Sequence, residues 1–582
     1  MPKIVQREIP GLSNGQSAGQ SARTSLAGVH PVLARIYQAR GIESDAELEL
    51  QLNQLIPYTS MKDIARATEA LVPVVTEGKR LLVVGDFDAD GATSTAVAIR
   101  ALRLMGAQQL DFLVPNRFDF GYGLSPELVA VARDYKPDLI MTVDNGIASI
   151  SGVAAANDAG IPVLVTDHHL PGDALPDAVA IVNPNQHGCE FPSKAACGCT
   201  VVFYLMLSLR ARLTELGYFE RFSHGAAPNL GQLLDLVALA TVADVVPLDH
   251  NNRILVEQGL RRIRAGRAQP GVLALLQASG RDYRNLVASD LGFSVGPRIN
   301  AAGRLDDMSL GIECLLTDDP GRANELAQQL DAFNRDRRQI EQAMQREAIE
   351  LLDQTGPAAT QDFGVSLFHP QWHQGVIGIL ASRIRERVYR PVIAFAPGDN
   401  GEVKGSARSI PGLHIRDALD QVDRRAPGVL LKFGGHAMAA GMSLKATDLD
   451  RFSTTFNEVC RDLLGGVAPD ESIETDGQLP LTDYSLNLAE LLRQGGPWGQ
   501  AFPEPAFHGE FRIIQQRIVG ERHLKLMLQP KGSDQAIDAI WFGIDTTQWP
   551  DHSREMVHCV FQLDVNEFRG QRSLQLRIIH LE

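Results

Sequence analysis

Aspartate and histidine residues of the kind that bind metal ions follow three separate apolar runs of this sequence. They are Asp86, Asp88 and Asp90 after LLVVG, Asp144 after LIMTV, and Asp167, His168 and His169 after IPVLVT. Alternating aspartates directly after a strand can place their carboxylates on one side of the chain. A single aspartate after a strand is most often a helix cap. Three runs that end in ligand types, one of them in His-His, indicate a metal site.

The residue types also indicate which metal this site would hold and which reaction it would serve. Oxygen-rich ligands with one or two imidazoles suit Mg²⁺ or Mn²⁺ better than softer metals. The carboxylates suffice for two ions, and two ions about 3.5–4 Å apart suit the hydrolysis of a phosphodiester bond. Asp244, in the apolar stretch LLDLVALATVADVVPL, adds an acid that is costly to bury unless it is paired or bound to metal.

The DxDxDG spacing also opens an EF-hand calcium loop, an interpretation that we exclude. That loop needs a glutamate at its last ligand position and helices on both sides. Counting from Asp86, the residue at that position is Val97, and a strand precedes the motif.

The elements that must position these residues alternate between β-rich and helix-like stretches from about Lys79 onward. Strand-like LLVVG, LDFLV, LIMTV and IPVLVT are separated by helix-like TSTAVAIRALRLMG, SPELVAVARDY and GVAAANDAG. This alternation predicts a parallel sheet with crossover helices. Because ligands bind at the carboxyl ends of parallel strands, the aspartates and histidines are expected to converge there.

The rest of the chain predicts an α/β fold of several domains. The stretch GRANELAQQLDAFNRDRRQIEQAMQREAIELLDQ predicts a long helix that joins the parallel-sheet domain to a smaller α/β domain. Five strand-like runs near the C-terminus predict a small β-barrel such as an OB-fold. The predicted boundaries are 1–65 for an N-terminal region, 66–317 for the parallel-sheet domain, 318–357 for the connecting helix, 358–465 for the smaller α/β domain and 466–582 for the barrel.

Composition limits the class of protein. The chain has 582 residues, of which 44% are hydrophobic and 21% charged, as in soluble globular proteins of several domains. No apolar run is long enough to cross a bilayer and no secretory signal is evident, so a cytoplasmic protein without a membrane partner is expected. The net charge of −15 argues against a nucleic-acid partner. Nine arginines between Arg253 and Arg304 nevertheless allow a local basic patch, with a solvated helix face as the alternative.

The six cysteines do not indicate a disulfide framework in a chain of this length. Cys189, Cys197 and Cys199 lie near His187 in the sequence, which makes a zinc site conceivable. The CxxC and HxxxH spacings of such sites are absent, and ordinary buried thiols are the favoured interpretation.

Several strings of the sequence resemble the motifs of the DHH phosphoesterase superfamily. They are DFDADG, VDNG, TDHH and TVADVVPL, and they occur in the same order as in that superfamily. Others, namely PNRFDFGYGLS, GPRINAAGRLDD, WHQGVIGILASR, KGSARSI and KFGGHAMAAG, are similar to those of the RecJ family of bacterial single-strand-specific exonucleases. The likeness runs from about residue 80 to the C-terminus. Its WHQGVIG to GGHAMAAG part is similar to a DHHA1 domain, and its last strands match the place of an OB-fold.

The resemblance implies a role for each residue of the motifs. The metal ligands would be Asp88, Asp90, Asp144, His168 and Asp244, with Asp144 as the bridge between two ions. Asp86 stands near a position where smaller relatives often supply a further ligand. Asp167 would orient His168, and His169 would contact the scissile phosphate. Helix capping or core packing remains the alternative for Asp86 and His169.

The resemblance also implies a set of substrate contacts, in which guanidinium groups bind terminal phosphate and backbone oxygens. These residues are Arg117, Arg298, Asn300 and Arg304 in the first part of the chain, and Ser406, Arg408, Ser409, Gly434, Gly435 and His436 in the DHHA1-like part.

The implied activity is a 5′→3′ exonuclease specific for single-stranded DNA, which uses two Mg²⁺ or Mn²⁺ ions and releases 5′-mononucleotides in recombination and repair. Single-strand-binding protein and a RecQ-type helicase are the implied partners, and a monomer is expected. Two alternatives stay open: a phosphoesterase of short oligonucleotides or cyclic dinucleotides, and a non-catalytic replication scaffold. Scaffolds of this superfamily lose metal ligands, whereas this chain keeps the full set.

Overall fold

The structure is a computed structural model that describes residues 2–10, 26, 28–116, 120, 122–222, 225–354, 362–467, 469–544, 546, 549–568 and 570–582. Its strands are β1 (Lys3–Gln6), β2 (Leu81–Val84), β3 (Leu110–Leu113), β4 (Leu139–Val143), β5 (Val163–Thr166), β6 (Ala180–Val182), β7 (Val365–Phe368), β8 (Val392–Pro397), β9 (Glu402–Arg408), β10 (Lys432–Gly435), β11 (Ala439–Lys445), β12 (Ser472–Thr475), β13 (Phe507–Val519), β14 (His523–Pro530), β15 (Ile537–Phe542), β16 (Met556–Phe568) and β17 (Gln571–Leu581).

Its helices are α1 (Pro31–Ala39), α2 (Ile64–Thr76), α3 (Ala89–Met105), α4 (Pro126–Ala132), α5 (Ile150–Asp158), α6 (Gly198–Glu215), α7 (Tyr218–Phe222), α8 (Leu234–Ala243), α9 (His250–Arg264), α10 (Pro270–Ala278), α11 (Ala288–Asp290), α12 (Gly296–Leu305), α13 (Ser309–Leu316), α14 (Pro320–Gln354), α15 (Ile377–Val388), α16 (Ile415–Arg425), α17 (Leu449–Leu463) and α18 (Leu486–Gln494). A π-helical turn, Leu291–Val295, precedes α12. Among the described residues, no helix is both long and apolar enough to span a membrane.

The predicted parallel sheet is confirmed. Its strand order is β3-β2-β4-β5-β6, and every pair is parallel. The short β6 was not among the predicted strands. From β2 the chain turns to β3 on one side and then to β4 on the other, so the switch point of the topology lies between β2 and β4. Such sheets bind ligands in the crevice beyond the carboxyl ends of the strands at this point.

Burial on both faces explains why the strands of this sheet are continuous apolar runs in the sequence. Strands β2, β4 and β5 are buried over their whole length. Helices α3, α6 and α8 pack against one another, and α4 packs against α5. Helix α3 begins after the cap Asp88 and ends at Gly106, whose φ of 106° suits a left-handed C-terminal cap.

The chain divides into two compact units. One holds the parallel sheet and the C-terminal barrel and comprises Ile4–Gly303, Asp307–Asp331 and Glu474–Glu582. The other holds a second sheet and comprises Met1–Lys3, Arg304–Asp306 and Ala332–Ile473. The predicted long helix is confirmed as α14, which contributes residues to both units. The predicted end of that helix near Thr355, Gly356 and Pro357 lies outside the described residues.

The smaller α/β part is a mixed sheet in the order β10-β11-β9-β8-β7, in which β7 and β8 are parallel. Helices α16 and α17 cover one face of this sheet, and α14 and α15 pack against the other. The predicted barrel is also confirmed. Its five strands close in the order β13-β14-β15-β17-β16.

Candidate metal centre

The loop after β2 and the start of α3 place three aspartates at the switch point. Asp86 and Asp90 are buried. Asp88 caps α3, because its Oδ1 accepts the Gly91 amide at 3.0 Å. The turn is held from outside by Asn300, whose Oδ1 accepts the Ala89 amide at 2.8 Å. Asn300 was predicted as a substrate contact, and this bond gives it a supporting position next to the aspartates.

Asp144 lies where β4 ends. It adopts a φ of 62°, in the left-handed region that aspartate tolerates better than most residues. The next residue, Asn145, donates from its side chain to the carbonyls of Val84 at 3.2 Å and Val143 at 2.9 Å. This amide therefore joins the carboxyl ends of β2 and β4, which brings Asp144 beside the aspartates of the β2 loop.

Asp167 follows β5 and organises the loop that carries the two histidines. Its Oδ1 accepts the backbone amides of His168 at 2.7 Å and His169 at 3.0 Å, and its Oδ2 accepts the Ile147 amide at 2.9 Å. The ring that Asp167 contacts is that of His169, whose Nδ1 lies 2.7 Å from Oδ1. Asp167, which the resemblance implies as the residue that orients His168, thus accepts the amide of His168 and also holds the ring of His169. The two adjacent rings lie on the same side of this loop, with centroids 4.5 Å apart, so the even alternation of a strand does not apply.

The ring of His168 lies among three carboxylates. Its Nε2 is 3.1 Å from Asp144 Oδ1, 3.6 Å from Asp244 Oδ2 and 3.9 Å from Asp90 Oδ2. Asp244 arrives from the C-terminal end of α8. Three groups within the described residues have ligand atoms close enough to share an ion: Asp86, Asp88 and Asp144; Asp90, His168 and Asp244; and Asp144, His168 and His169. Asp144 and His168 each belong to two of these groups.

The buried carboxylates of the aspartate and histidine cluster would be stabilised by a bound cation. Burial and the neighbouring aspartates, Asp90 and Asp88 first among them, raise the pKa of Asp144 and Asp244 well above the usual range. Burial and the charge of Asp88 raise the pKa of Asp90 to about 6. Asp144 Oδ1 and Asp244 Oδ2 are buried and accept no hydrogen bond from the described residues. Buried oxygens of this kind are costly unless a cation binds them, so the residues fit a hard divalent ion.

The predicted substrate arginines of the first part of the chain, where they are described, contact residues outside the aspartate and histidine cluster. Arg117 lies outside the described residues. Arg298 is buried and ion-paired with Asp331 through Nε at 2.9 Å and NH2 at 2.8 Å. Arg304 belongs to the second unit, where its NH1 donates to the Gly375 carbonyl at 3.2 Å.

In the DHHA1-like sheet the predicted residues lie on β9 and at the β10–β11 turn. Arg408 donates to Ser406 Oγ at 3.1 Å, which keeps the two side chains together. Ser409 is fully buried and donates to the Leu413 carbonyl at 2.6 Å, so it supports the turn from inside. Gly434 pairs with Gly441 across the strands, Gly435 has a φ of 151°, and the His436 amide donates to the Ala439 carbonyl at 2.8 Å.

The structure adds residues that the sequence interpretation missed. Tyr122 donates from its hydroxyl to the Asp144 carbonyl at 3.1 Å, and the same oxygen lies 3.0 Å from Nδ1 of His169. Asn185 and Asn183 donate to the carbonyls of His168 at 2.6 Å and His169 at 2.9 Å. Tyr122 could have been found as the tyrosine between two glycines in the string PNRFDFGYGLS. From that string only Arg117 was selected as a candidate site residue, because of its charge.

Tyr122 combines a buried hydroxyl with an accessible ring, since the whole residue is 49% exposed. Burial of the hydroxyl and the surrounding carboxylates, Asp167 first among them, raise the pKa of Tyr122 well above its usual value. This group is therefore protonated near neutral pH and can donate its hydrogen bond there.

If the chain has the exonuclease activity that the resemblance implies, Tyr122→Phe is expected to lower the rate of phosphodiester cleavage about tenfold, the lower end of the range for residues that orient ligands. The change removes the hydroxyl that fixes Asp144 and His169 but keeps the ring. Single-turnover kinetics with saturating Mn²⁺ would measure the rate, and calorimetry would measure Mn²⁺ affinity, which is expected to stay within about threefold. An unchanged rate would mean that the hydroxyl only fills space.

The cysteines that suggested a possible zinc site are not grouped as metal ligands within the described residues. Cys197 and Cys199 are fully buried, and burial raises the pKa of both thiols well above the usual range. Cys197 and Cys199 are thus the buried thiols that the favoured interpretation expects, whereas Cys189 is half-buried.

Comparison with known domain families matches one family to each of the three parts that hold the parallel sheet, the mixed sheet and the barrel. The DHH family N-terminal domain matches residues 80–241, the DHHA1 domain matches 360–462 and the RecJ OB domain matches 475–580.

Comparison with whole proteins gives matches over nearly the full chain. The single-stranded-DNA-specific exonuclease RecJ of Salmonella typhimurium is 54% identical over 95% of this chain and 96% of that protein. The crystal structure of RecJ from Thermus thermophilus in complex with Mn²⁺ has a TM-score of 0.77 and 30% identity, covering 95% of this chain and 76% of that one. Its complex with Mg²⁺ has a TM-score of 0.72 and 28% identity, covering 95% and 75%.

Proposed function

The chain belongs to the RecJ family of single-stranded-DNA-specific exonucleases, and from this premise we propose how its own residues cleave DNA. It is a metal-dependent exonuclease of single-stranded DNA that uses Mg²⁺ or Mn²⁺. We propose two ions, one held by Asp86, Asp88 and Asp144 and one by Asp90, His168 and Asp244. The observation that carries this proposal is the position of Asp144, which belongs to the first group and lies 3.1 Å from His168 of the second.

The protein's own residues would hold the ions and orient the groups that contact the scissile phosphate. When bound, two such ions supply the positive charge that activates a water and stabilises the leaving oxygen. Asp144, buried at the switch point, would hold the first ion with Asp86 and Asp88, and its carboxylate lies 3.1 Å from His168 of the second group. Asp167 holds His169 by a ring hydrogen bond and thereby fixes an imidazole that can contact the scissile phosphate. The Tyr122 hydroxyl lies 3.0 Å from Nδ1 of the same ring and helps to hold it.

The polarity of cleavage, the substrate contacts and the domain boundaries are further parts of the proposal. We propose 5′→3′ cleavage with release of 5′-mononucleotides. Phosphate and backbone contacts would come from Arg117, Arg304, Ser406, Arg408, Gly434, Gly435 and His436. Arg298, Asn300 and Ser409, which are held in internal contacts, would support the site instead. The predicted boundaries 1–65, 66–317, 318–357, 358–465 and 466–582 are compatible with the three matched domain families.

Degradation of strands labelled at one end tests this function. With Mn²⁺ or Mg²⁺, a 3′-labelled single strand is expected to shorten progressively. A 5′-labelled strand is expected to release its label at once as a mononucleotide, and a blunt duplex is expected to resist. Progressive shortening of the 5′-labelled strand would show that cleavage runs from the 3′ end, opposite to the proposed polarity. Cleavage confined to oligonucleotides of a few residues would favour the small-substrate phosphoesterase, and metal binding without cleavage would favour the scaffold.

We propose a cytoplasmic role in recombination and repair, as a monomer that works with single-strand-binding protein and a RecQ-type helicase. A helicase supplies the single strand that the enzyme consumes, which is the chemical reason for this pairing. Sizing by light scattering tests the monomer, and addition of each partner to the end-label assay tests the pairing by the rate of degradation.

A further inference from the structure

The N-terminus of α6 holds the carboxylate of Asp90. Asp90 Oδ2 accepts the Gly198 amide at 2.6 Å, and Oδ1 accepts the Cys199 amide at 2.9 Å. First-turn amides of a helix have no acceptor within the helix and carry partial positive charge. Because Asp90 is 1% exposed, these two amides rather than bulk water fix its carboxylate.

The same helix end also touches Asp144. A Cβ built on Gly198 would lie 2.6 Å from both Cβ and Oδ1 of Asp144, closer than real Cβ atoms are found. Gly198 is not in the left-handed region, so its lack of a side chain serves space and not backbone conformation. The Asp144 carboxylate therefore rests against the backbone of α6.

The turn that makes these contacts, Cys197-Gly198-Cys199, is packed into the protein interior. Cys197 and Cys199 are fully buried on either side of Gly198. Cys197 Sγ lies 3.5 Å from Thr200 Oγ1 and 3.7 Å from Thr241 Oγ1 on α8. Helix α6 packs against both α3, which carries Asp90, and α8, which ends at Asp244.

We propose that the Cys197-Gly198-Cys199 turn is a positioning element of the metal centre, which sets the separation of Asp90 and Asp144. Two amides hold one carboxylate, and the bare Cα of Gly198 leaves room for the other. This inference rests on the proposed metal-dependent function. It explains why a CGC string without zinc spacing lies in this part of the chain.

Gly198→Ala in the full-length protein tests this role. The added methyl group displaces the Asp144 carboxylate, so calorimetry is expected to show Mn²⁺ affinity lowered about 10- to 100-fold, as for residues that orient metal ligands. The matched control is Gly271→Ala, whose methyl group would clash with the Cys314 carbonyl between α10 and α13. The control is expected to lower the melting temperature of the metal-free protein while keeping wild-type Mn²⁺ affinity. Wild-type affinity in Gly198→Ala would overturn the proposal.

Residue-resolved hydrogen exchange in the metal-free protein keeps the inference testable if Gly198→Ala does not fold. In the wild type, the Gly198 and Cys199 amides are expected to exchange slowly, unlike ordinary first-turn amides. In Asp90→Ala they are expected to exchange at least about tenfold faster, which corresponds to the loss of about 1.4 kcal/mol of protection. The Val201 amide, bonded to the Cys197 carbonyl, is the internal reference and stays unchanged. Equal rates in both proteins would overturn the inference, whereas a wild type that neither binds Mn²⁺ nor cleaves DNA would overturn the function alone.

Discussion

Asp144→Asn is expected to abolish cleavage while leaving the protein folded. The substitution keeps the shape of the side chain and removes a charge that belongs to the first proposed ligand group and lies 3.1 Å from His168 of the second. A loss of about 10³-fold or more is expected in single-turnover rate with Mn²⁺, equivalent to about 4 kcal/mol of transition-state stabilisation. Binding of single-stranded DNA, measured by fluorescence anisotropy, is expected to change little, because basic and stacking contacts rather than a single carboxylate supply affinity for single strands.

The stability of the same variant distinguishes a metal ligand from a structural residue. A raised pKa means that the folded state holds the Asp144 proton more tightly than the unfolded chain does. Ionised Asp144 therefore destabilises the metal-free fold near pH 7, and asparagine removes that cost. The metal-free variant is expected to melt at least about 2 °C above the wild type, the shift for about 1 kcal/mol in a domain of this size.

The control for Asp144→Asn is Asp111→Asn at an exposed position on β3 of the same sheet. That variant is expected to match the wild type in rate, Mn²⁺ affinity and melting temperature. Full activity of Asp144→Asn with Mn²⁺ present would rule out a bridging role for this residue. A melting temperature below that of the wild type would mean that the carboxylate serves the fold.

The sequence predicted the sheet and the convergence of the cluster because both follow from regular elements. Strands β2, β4 and β5 are buried on both faces, so their apolar runs were visible. Parallel strands end at one edge, which brings Asp144 and Asp167 to the β2 loop without knowledge of any contact. The five strands of the barrel were predictable for a similar reason, since each is long and bounded by turn residues.

Contacts made by loops and helix ends were not predictable in this way. The partner of Asp167 depends on how the loop after β5 turns, and periodicity does not extend into a loop. Tyr122 meets His169 across 47 residues, and Gly198 meets Asp90 across 108. Arg298 was chosen for its charge, but whether an arginine faces a ligand or an internal acid such as Asp331 depends on packing. Sequence patterns thus locate the carboxylates, and the tertiary structure decides what orients them.

Alanine substitutions at the two adjacent histidines are expected to impair different properties, Mn²⁺ affinity in one variant and cleavage rate in the other. His168→Ala removes a ring that lies among Asp90, Asp144 and Asp244, so Mn²⁺ affinity is expected to fall at least about 10- to 100-fold. Raising the Mn²⁺ concentration should restore much of its rate. His169→Ala removes a ring that Asp167 holds and whose side chain is 29% exposed, compared with 15% for His168.

His169→Ala is therefore expected to keep Mn²⁺ affinity within about threefold and to lose about 10²–10³-fold in rate at saturating Mn²⁺, the range for a positioned group acting on the reacting phosphate. Burial lowers the pKa of His169, but the hydrogen bond and charge of Asp167 outweigh it, so the ring has more cationic character than a free imidazole. A cationic ring beside the phosphate favours the charge that develops in the transition state. If His169→Ala loses as much Mn²⁺ affinity as His168→Ala, and added Mn²⁺ rescues both, then the group Asp144, His168 and His169 binds an ion and His169 is a ligand. If added Mn²⁺ rescues His168→Ala but not His169→Ala, then His168 binds metal and His169 contacts the phosphate.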